Sequence, residues 1–140
     1  MTALARLLFP VPDVRRSTVT LFAWWESRRP AYNLIVGGTG LLTLSVLHAL
    51  TWLPPHPQFD APLPVVLVYG TLANACYTFG FGLEALLQRV WGNDVAPVGP
   101  TLWRHGLVFS VGLTLVPIAV AWMGYLVTAV RWFLFGLSTP

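Results

Sequence analysis

The chain has 140 residues, of which 56% are hydrophobic and 9% charged, and its formal net charge is +3. Its mean hydropathy of +0.68 excludes an ordinary water-soluble domain and indicates a membrane protein. All eight basic residues are Arg, and they are too few and too scattered to form a nucleic-acid-binding surface. The single cysteine, Cys76, excludes an internal disulfide and leaves a zinc site without a second thiolate.

Residues 1–30 are predicted to form a cytoplasmic arm that ends in an amphipathic helix lying on the membrane surface, with no cleavable signal peptide before it. Near its end, Trp24 and Trp25 stand beside Arg28 and Arg29. Tryptophan rings prefer the headgroup zone, and arginines are attracted by anionic lipid. We therefore expect these four residues to lie at the membrane interface.

Residues 31–138 are predicted to form one membrane domain with three spans, at about 32–53, 64–88 and 104–128. Each run reaches the length of about 20 apolar residues that a helix needs to cross a hydrocarbon core of about 30 Å. The fold class is therefore all-α and polytopic, with three transmembrane helices. Residues 129–138 either continue the third helix or lie in the interface. Further interfacial aromatic residues are expected at the span ends, namely Trp52, Trp103 and Trp132.

The first span contains glycines at positions 37, 38 and 40. Glycine would weaken a helix in water, but in lipid it lets two helix backbones approach closely. Gly37 and Gly40 are therefore candidates for the tightest helix crossing in the molecule. A locally soft helix is the alternative interpretation of the same cluster.

The second span has its polar residues on one face. Asn74, Tyr77, Phe81 and Glu84 follow one another at steps of three, four and three residues, which places them on the same side of a helix. We expect that face to point inward. Asn74 and Tyr77 are interpreted as helix-packing residues, because an amide or hydroxyl in lipid is stabilised by hydrogen bonding across helices.

Glu84 is the only acidic residue inside a predicted span. A carboxylate in the membrane is costly unless it is paired, protonated or hydrated, so Glu84 is a candidate functional residue. Because it lies near the cytoplasmic end of its span, Asn33 and the arginines at that end could hold it in a polar cluster. The favoured interpretation is a structural clamp; proton or ion handling and contact with a partner protein are the alternatives.

Histidines raise the question of a cofactor. His48, near the outer end of the first span, could ligate a bacteriochlorophyll or a haem as a single axial ligand. His105 lies near the inner end of the third span, so the two histidines are too far apart to share one haem. We expect no metal site, and a pigment or haem at His48 is an alternative to having no cofactor.

The arginine distribution predicts the orientation of the chain. Five of the eight arginines precede the first span, and the first loop, after Leu53, has none. By the positive-inside rule the N-terminus is cytoplasmic, and three spans then place the C-terminus in the periplasm of a bacterial inner membrane.

Three groups of residues resemble those of uncharacterised small multipass bacterial membrane proteins. They are Arg29-Pro-Ala-Tyr-Asn33 at the first span, Ala73-Asn-Ala-Cys-Tyr77 with Gly80 and Glu84 in the second, and Trp103 with Pro117 in the third. The resemblance covers about two thirds of the chain. It implies a three-span membrane protein and no particular activity.

The sequence contains no catalytic motif, so we do not expect an enzyme. We expect instead a non-catalytic accessory or scaffolding subunit of a larger inner-membrane complex, of respiratory, photosynthetic or transport type. Its partners would be membrane lipids and other membrane-protein subunits, and not nucleic acid. The alternatives are a homo-oligomeric transporter or channel, lined by the polar face of the second span, and a pigment- or haem-binding subunit using His48.

Overall fold

The computed structural model describes residues 17–54, 56–57, 63–91 and 98–136, and the regular structure of this part of the chain is entirely helical. The predictions made for residues 1–16 and 137–138 fall outside the described residues. The described residues form four helices in succession, namely α1 (Thr18–Glu26), α2 (Arg29–Leu50), α3 (Leu63–Trp91) and α4 (Gly99–Phe135).

In the part of the chain that the structure describes, three helical stretches are long and apolar enough to cross a membrane: Thr18–Leu50, Leu63–Trp91 and Gly99–Phe135. They correspond to the three predicted spans, with the short helix α1 joined to the first of them. The all-helical class and the three long apolar helices are therefore confirmed.

The helix α1 begins after Ser17, whose hydroxyl accepts a hydrogen bond of 3.3 Å from the backbone N–H of Thr20. This is the usual N-cap arrangement. The structure does not show the predicted division of α1 into a polar and an apolar face. Leu21 is buried, whereas Val19 and Phe22 are exposed, so apolar residues lie on both sides of the helix.

The three long helices alternate in direction. The backbone N–H of Gly99, the first residue of α4, meets Glu84 near the end of α3, so the end of α3 and the start of α4 lie together. At the opposite end, the Tyr125 hydroxyl of α4 donates a 2.9 Å hydrogen bond to the carbonyl of Pro54, just after α2. The helices α2 and α4 are therefore parallel to each other and antiparallel to α3.

The helix α4 extends beyond its neighbours. Its 37 residues give a length of about 55 Å, well above the hydrocarbon thickness of about 30 Å. Tyr125 contacts Pro54, which lies just after the end of α2. Positions 126–135 of α4 therefore extend past the end of α2. The C-terminal segment thus continues the helix to Phe135, where Gly136 ends it with a left-handed backbone at φ 57°.

Most of the buried apolar residues that the structure describes lie at the end of the bundle where α1 is, whereas Leu50 and Ala121 are buried outside this cluster. This core consists of Leu21, Trp25, Tyr32, Val36, Tyr77, Trp103 and Leu107. Most of the remaining helix surface is apolar and exposed, as expected for three long helices that touch along narrow seams. The core therefore brings α1, α2, α3 and α4 together around the residues of the candidate site.

Candidate functional site: a buried carboxylate and a hydroxyl seam

Glu84 is completely buried, with 0% of its surface exposed. The indole N–H of Trp25 in α1 donates a hydrogen bond of 2.6 Å to its Oε2. The backbone N–H of Gly99 in α4 donates one of 3.0 Å to its Oε1. Because Glu84 itself belongs to α3, one carboxylate joins three helices. We call the group formed by Trp25, Glu84 and Gly99 the Glu84 latch.

The position of Gly99 gives the Glu84 latch an electrostatic basis. The first amides of a helix have no acceptor within the helix, and the aligned peptide dipoles place partial positive charge there. The residue before α4, Val98, provides no side-chain cap. The Glu84 carboxylate therefore caps α4 from a neighbouring helix, and it lies where negative charge is stabilised.

Two glycines make the close packing around the Glu84 latch possible. A Cβ at Gly99 would lie 2.6 Å from Oε1 of Glu84, and a Cβ at Gly80 would lie 2.9 Å from Cη2 of Trp25. Both distances are shorter than real side-chain contacts. An alanine at either position would therefore displace a member of the latch.

Aromatic rings surround the Trp25 side of the latch. The Tyr77 hydroxyl donates a hydrogen bond to the Trp25 carbonyl, and the two rings meet edge to face with centroids 5.2 Å apart. The ring centroids of Tyr32 and Tyr77 are 4.7 Å apart, and the two ring planes are tilted by 45°. An edge-to-face pair such as Trp25 and Tyr77 adds about 0.5–1.5 kcal/mol to the stabilisation from burial alone. The short helix α1 is therefore held by packing as well as by hydrogen bonds.

A line of hydroxyl groups continues from this cluster along the bundle interior. The Tyr32 hydroxyl lies 2.8 Å from Oγ of Ser110, and Tyr69 donates to the Ser110 carbonyl at 3.1 Å. Further along, Thr43 donates to the carbonyl of Thr114 at 2.9 Å. Polar groups in lipid must find partners inside the protein. These five residues form the hydroxyl seam, which ties α2, α3 and α4 together.

The polar face of the second span is only partly as predicted. Tyr77 and Glu84 are both buried, with 5% and 0% of their surfaces exposed, and they lie on the inward face. The Asn74 amide, in contrast, donates to the carbonyl of Gly70 in its own helix at 3.1 Å. The interhelical bonding expected from Asn74 is instead made by the residues of the hydroxyl seam.

The predicted packing residues of the first span lie in different surroundings. Gly40 faces Thr114, whose Cγ2 would be 3.9 Å from an added Cβ, whereas Gly37 has no atom within 4 Å of that position. Gly37 and Asn33 are both exposed. Gly37 is therefore not at a close helix crossing within the described chain, contrary to the prediction made for it.

Two of the predicted interfacial tryptophans lie inside the protein. Trp25 and Trp103 each have 2% of their surface exposed, because both belong to the core around the Glu84 latch. Trp24 stays nearer the surface, where the Arg28 guanidinium lies 3.9 Å from its ring. Arg29 forms a 2.7 Å ion pair with Glu26. Two further predicted interface residues are exposed at other helix ends, Trp52 and Trp132.

The histidines lie on the outside of the bundle. His48 is exposed, and its ring is 5.9 Å from that of Trp52. The Nδ1 of His105 bonds the Thr101 carbonyl at 2.8 Å. Within the described ranges, no three His, Cys, Asp or Glu residues are grouped as a metal site would need. The pigment or haem at His48 stays a prediction.

Neither the hydroxyl seam nor the role of Gly99 was predicted from the sequence. A usable signal was present for part of the seam, since Ser110 and Thr114 stand four residues apart on one helix face. Gly99 carried no such signal, because its function depends on an atom of Glu84 that only the folded chain brings near. Comparison of the chain with protein-family models, with curated proteins and with solved structures finds no match.

Proposed function

We propose that this protein is a non-catalytic accessory or scaffolding subunit of a larger complex in a bacterial inner membrane. The observation that carries the proposal is the Glu84 latch. The Glu84 side chain is fully buried, and its carboxylate accepts hydrogen bonds from Trp25 in α1 and Gly99 in α4 of the same chain. Its chemistry therefore serves to hold helices together, which suits a subunit that offers a rigid surface to others.

The outer face of α2 supports this role. Asn33 and Gly37 are exposed there, and the space beside Gly37 is open. Small residues at a membrane helix surface allow a partner helix to approach closely, and an amide can hydrogen-bond across the contact. We propose that this face packs against another subunit of a respiratory, photosynthetic or transport complex.

The burial pattern favours this role over a homo-oligomeric transporter or channel. In such an assembly, Asn74, Tyr77 and Glu84 from several copies would line a shared path. Tyr77 and Glu84 instead point into the interior of a single chain. A path between copies would then be lined mainly by the exposed apolar residues of the helices.

We propose an orientation with the Glu84 latch near the cytoplasmic side. Arg28, Arg29, Arg89 and Arg104 all belong to the helix ends on that side of the bundle. Positively charged residues are enriched at the cytoplasmic ends of membrane helices. The C-terminal end of α4 would then lie on the periplasmic side.

The experiment is purification of the tagged chain in mild detergent from the cells that naturally make it, followed by native mass spectrometry. We expect a particle that contains other membrane subunits in fixed stoichiometry. Gly37→Leu should remove them, because a large side chain would block close approach to α2. Gly112→Leu is the matched control, since that position is also exposed and open but lies on α4.

Two results would contradict the proposal. One is a uniform particle of this chain alone from the native membrane. The other is proton or ion flux through liposomes that contain only this chain, lost in Glu84→Gln; this would favour the transporter.

A further inference from the structure

The helices α2 and α4 run side by side in register. Thr43 donates to the carbonyl of Thr114 and Tyr125 to that of Pro54, and both bonds join positions 71 apart in the chain. Buried residues at seven-residue spacing occur on both helices, namely Val36, Thr43 and Leu50 on α2 and Leu107, Thr114 and Ala121 on α4. This repeat is typical of helices that pack at a small angle of about 20°. The two helices therefore cross a membrane with nearly the same tilt.

The turns after α2 mark where the hydrocarbon ends on the side opposite the Glu84 latch. The helix ends at Leu50, and the chain continues as turns and bends to Pro54. Such backbone is not found against lipid, because its polar groups would lack partners there. Tyr125 of α4 lies at this level through its bond to Pro54. Residues 126–135, which we call the α4 extension, therefore lie beyond the hydrocarbon.

Tilting the bundle does not return the α4 extension to the membrane. Its residues are helical to Phe135 and rise about 15 Å along the helix axis. At a tilt of about 40°, the upper end of the observed range, the rise across the membrane is still about 11 Å. The headgroup layer on each side of a bilayer is only about 5–8 Å thick. The end of α4 therefore projects past the headgroups.

The α4 extension is apolar on every side. Its exposed apolar residues are Leu126, Val127, Val130, Trp132, Phe133, Leu134 and Phe135. The last four are consecutive, so with 3.6 residues per turn they point in all directions around the helix. A helix that lies flat on a membrane needs a polar face, whereas a helix that is apolar all round is normally buried. The α4 extension therefore needs an apolar environment outside the bilayer.

One charged side chain interrupts this apolar surface. Arg131 is exposed, and the acids among the described residues, Glu26 and Glu84, belong to the opposite end of the bundle. The other polar residue of the α4 extension, Thr128, bonds the carbonyl of Gly124 in its own helix. A guanidinium that becomes buried is costly unless a carboxylate pairs with it. Whatever covers the α4 extension is therefore expected to supply an acidic residue.

We propose that the α4 extension inserts into an apolar cleft of a partner subunit, on the side of the membrane opposite the Glu84 latch, and that a carboxylate in the cleft pairs with Arg131. The length and all-round apolarity of the extension account for the cleft, and Arg131 accounts for the carboxylate. The inference rests on the proposed function, because it needs a partner subunit. It uses a different surface from the outer face of α2, so the two contacts can be tested apart.

The first measurement locates the α4 extension relative to the bilayer. In a chain that carries Cys76→Ala, one new cysteine is introduced as Phe133→Cys or as Val120→Cys, and each purified chain is placed alone in lipid nanodiscs. Both positions are exposed on α4, but Val120 lies before Tyr125 and so within the hydrocarbon. We expect a membrane-impermeant maleimide to label position 133 many-fold faster than position 120. Equal protection of the two would overturn the proposal, because the bilayer would then cover the extension.

The second measurement identifies what covers the α4 extension. A photo-crosslinking amino acid replaces Phe133 in the full chain, in the cells that naturally make it, and the cross-linked peptide is sequenced. We expect one partner protein, linked through a peptide in which apolar residues flank an acidic one. The control is the same amino acid at Phe109, which is also exposed on α4 but lies within the span, and it should not reach that peptide.

Charge reversal tests the carboxylate. Arg131→Glu should lower the yield of the cross-link from position 133 several-fold, because it places two acids together in the cleft. Replacing the partner's acidic residue by arginine should restore the yield in that variant. Circular dichroism checks that Arg131→Glu leaves the helix content of the chain unchanged.

The proposal is overturned if position 133 cross-links only to lipid, to residues 58–62 of the same chain or to a second copy of it. It is also overturned if Arg131→Glu leaves the yield unchanged. Failure of the proposed function looks different, since no subunit would then co-purify with the chain at all. If subunits co-purify and Gly37→Leu removes them, but position 133 cross-links to none of them, the inference about the α4 extension fails alone.

Discussion

The indole Nε1 of Trp25 lies 2.6 Å from Oε2 of Glu84, which joins residues 59 positions apart in the chain. Trp25 belongs to α1, which has nine residues. A helix this short is marginal on its own and depends on packing for its stability. The contact with Glu84 therefore holds α1 against α3, and the Gly99 amide extends the same link to α4.

Replacing Glu84 by glutamine should destabilise the protein by about 1–3 kcal/mol. Both carboxylate oxygens accept from N–H donors, and glutamine has only one oxygen, so one buried donor loses its acceptor. Glu26→Gln is the control. Its ion pair with Arg29 is partly exposed, and its loss should cost at most about 0.5 kcal/mol. Unfolding by SDS titration in mixed micelles measures both; equal effects would contradict the prediction.

Gly99→Ala should be destabilising, whereas Gly106→Ala should not. A Cβ at position 99 would lie 2.6 Å from Oε1 of Glu84, and position 106 is open. Alanine is favoured over glycine in a helix by up to about 1 kcal/mol, so Gly106→Ala should be neutral or stabilising. Thermal melts followed by circular dichroism compare the pair, and a stabilised Gly99→Ala variant would be evidence against the close contact.

Gly80→Ala should displace Trp25, whose Cη2 would be 2.9 Å from the new Cβ. Phenylalanine lacks the ring atoms that make this contact, so adding Trp25→Phe should cost less stability in the Gly80→Ala protein than in the unaltered one. Gly82→Ala is the control, because its Cβ position is open. The same unfolding assay gives the comparison. If Trp25→Phe costs the same in both backgrounds, the two residues do not touch as described.

The hydroxyl seam can be tested with two threonines of α2. Thr43 donates to the Thr114 carbonyl across helices, whereas Thr39 donates to Ile35 within its own helix. Thr43→Val should cost about 0.6 kcal/mol, with an upper value of about 1.7, as measured for such bonds in membranes. Thr39→Val should have little effect. Indistinguishable unfolding curves for the two variants would exclude a stabilising role for the Thr43 bond.

The long helices could be predicted from the sequence because uninterrupted apolar runs have one stable arrangement in lipid. The inward face of the second span was partly predictable as well, since helical spacing places Tyr77 and Glu84 together. The same spacing includes Asn74, whose amide instead bonds its own helix. Spacing identifies a face but does not show which side chain reaches across it.

Other features depend on contacts that sequence patterns do not contain. Gly37 and Gly99 are both glycines in or beside helical segments, yet one is open and the other lies against a carboxylate. Trp25 and Trp103 have the flanking arginines of interfacial residues, but they are buried in the core. The indole and the backbone amide that bind Glu84 were not predicted from the sequence, and any residue can supply a backbone amide.

The most direct test of the Glu84 latch is a double-mutant cycle between Trp25→Phe and Glu84→Gln, with the free energy of unfolding measured for all four proteins in the same detergent. We expect the double variant to lose less stability than the sum of the single losses, with a coupling of about 0.5–3 kcal/mol, as for residues in direct contact. Losses that add within about 0.3 kcal/mol would show that Trp25 and Glu84 act independently, and would contradict the latch.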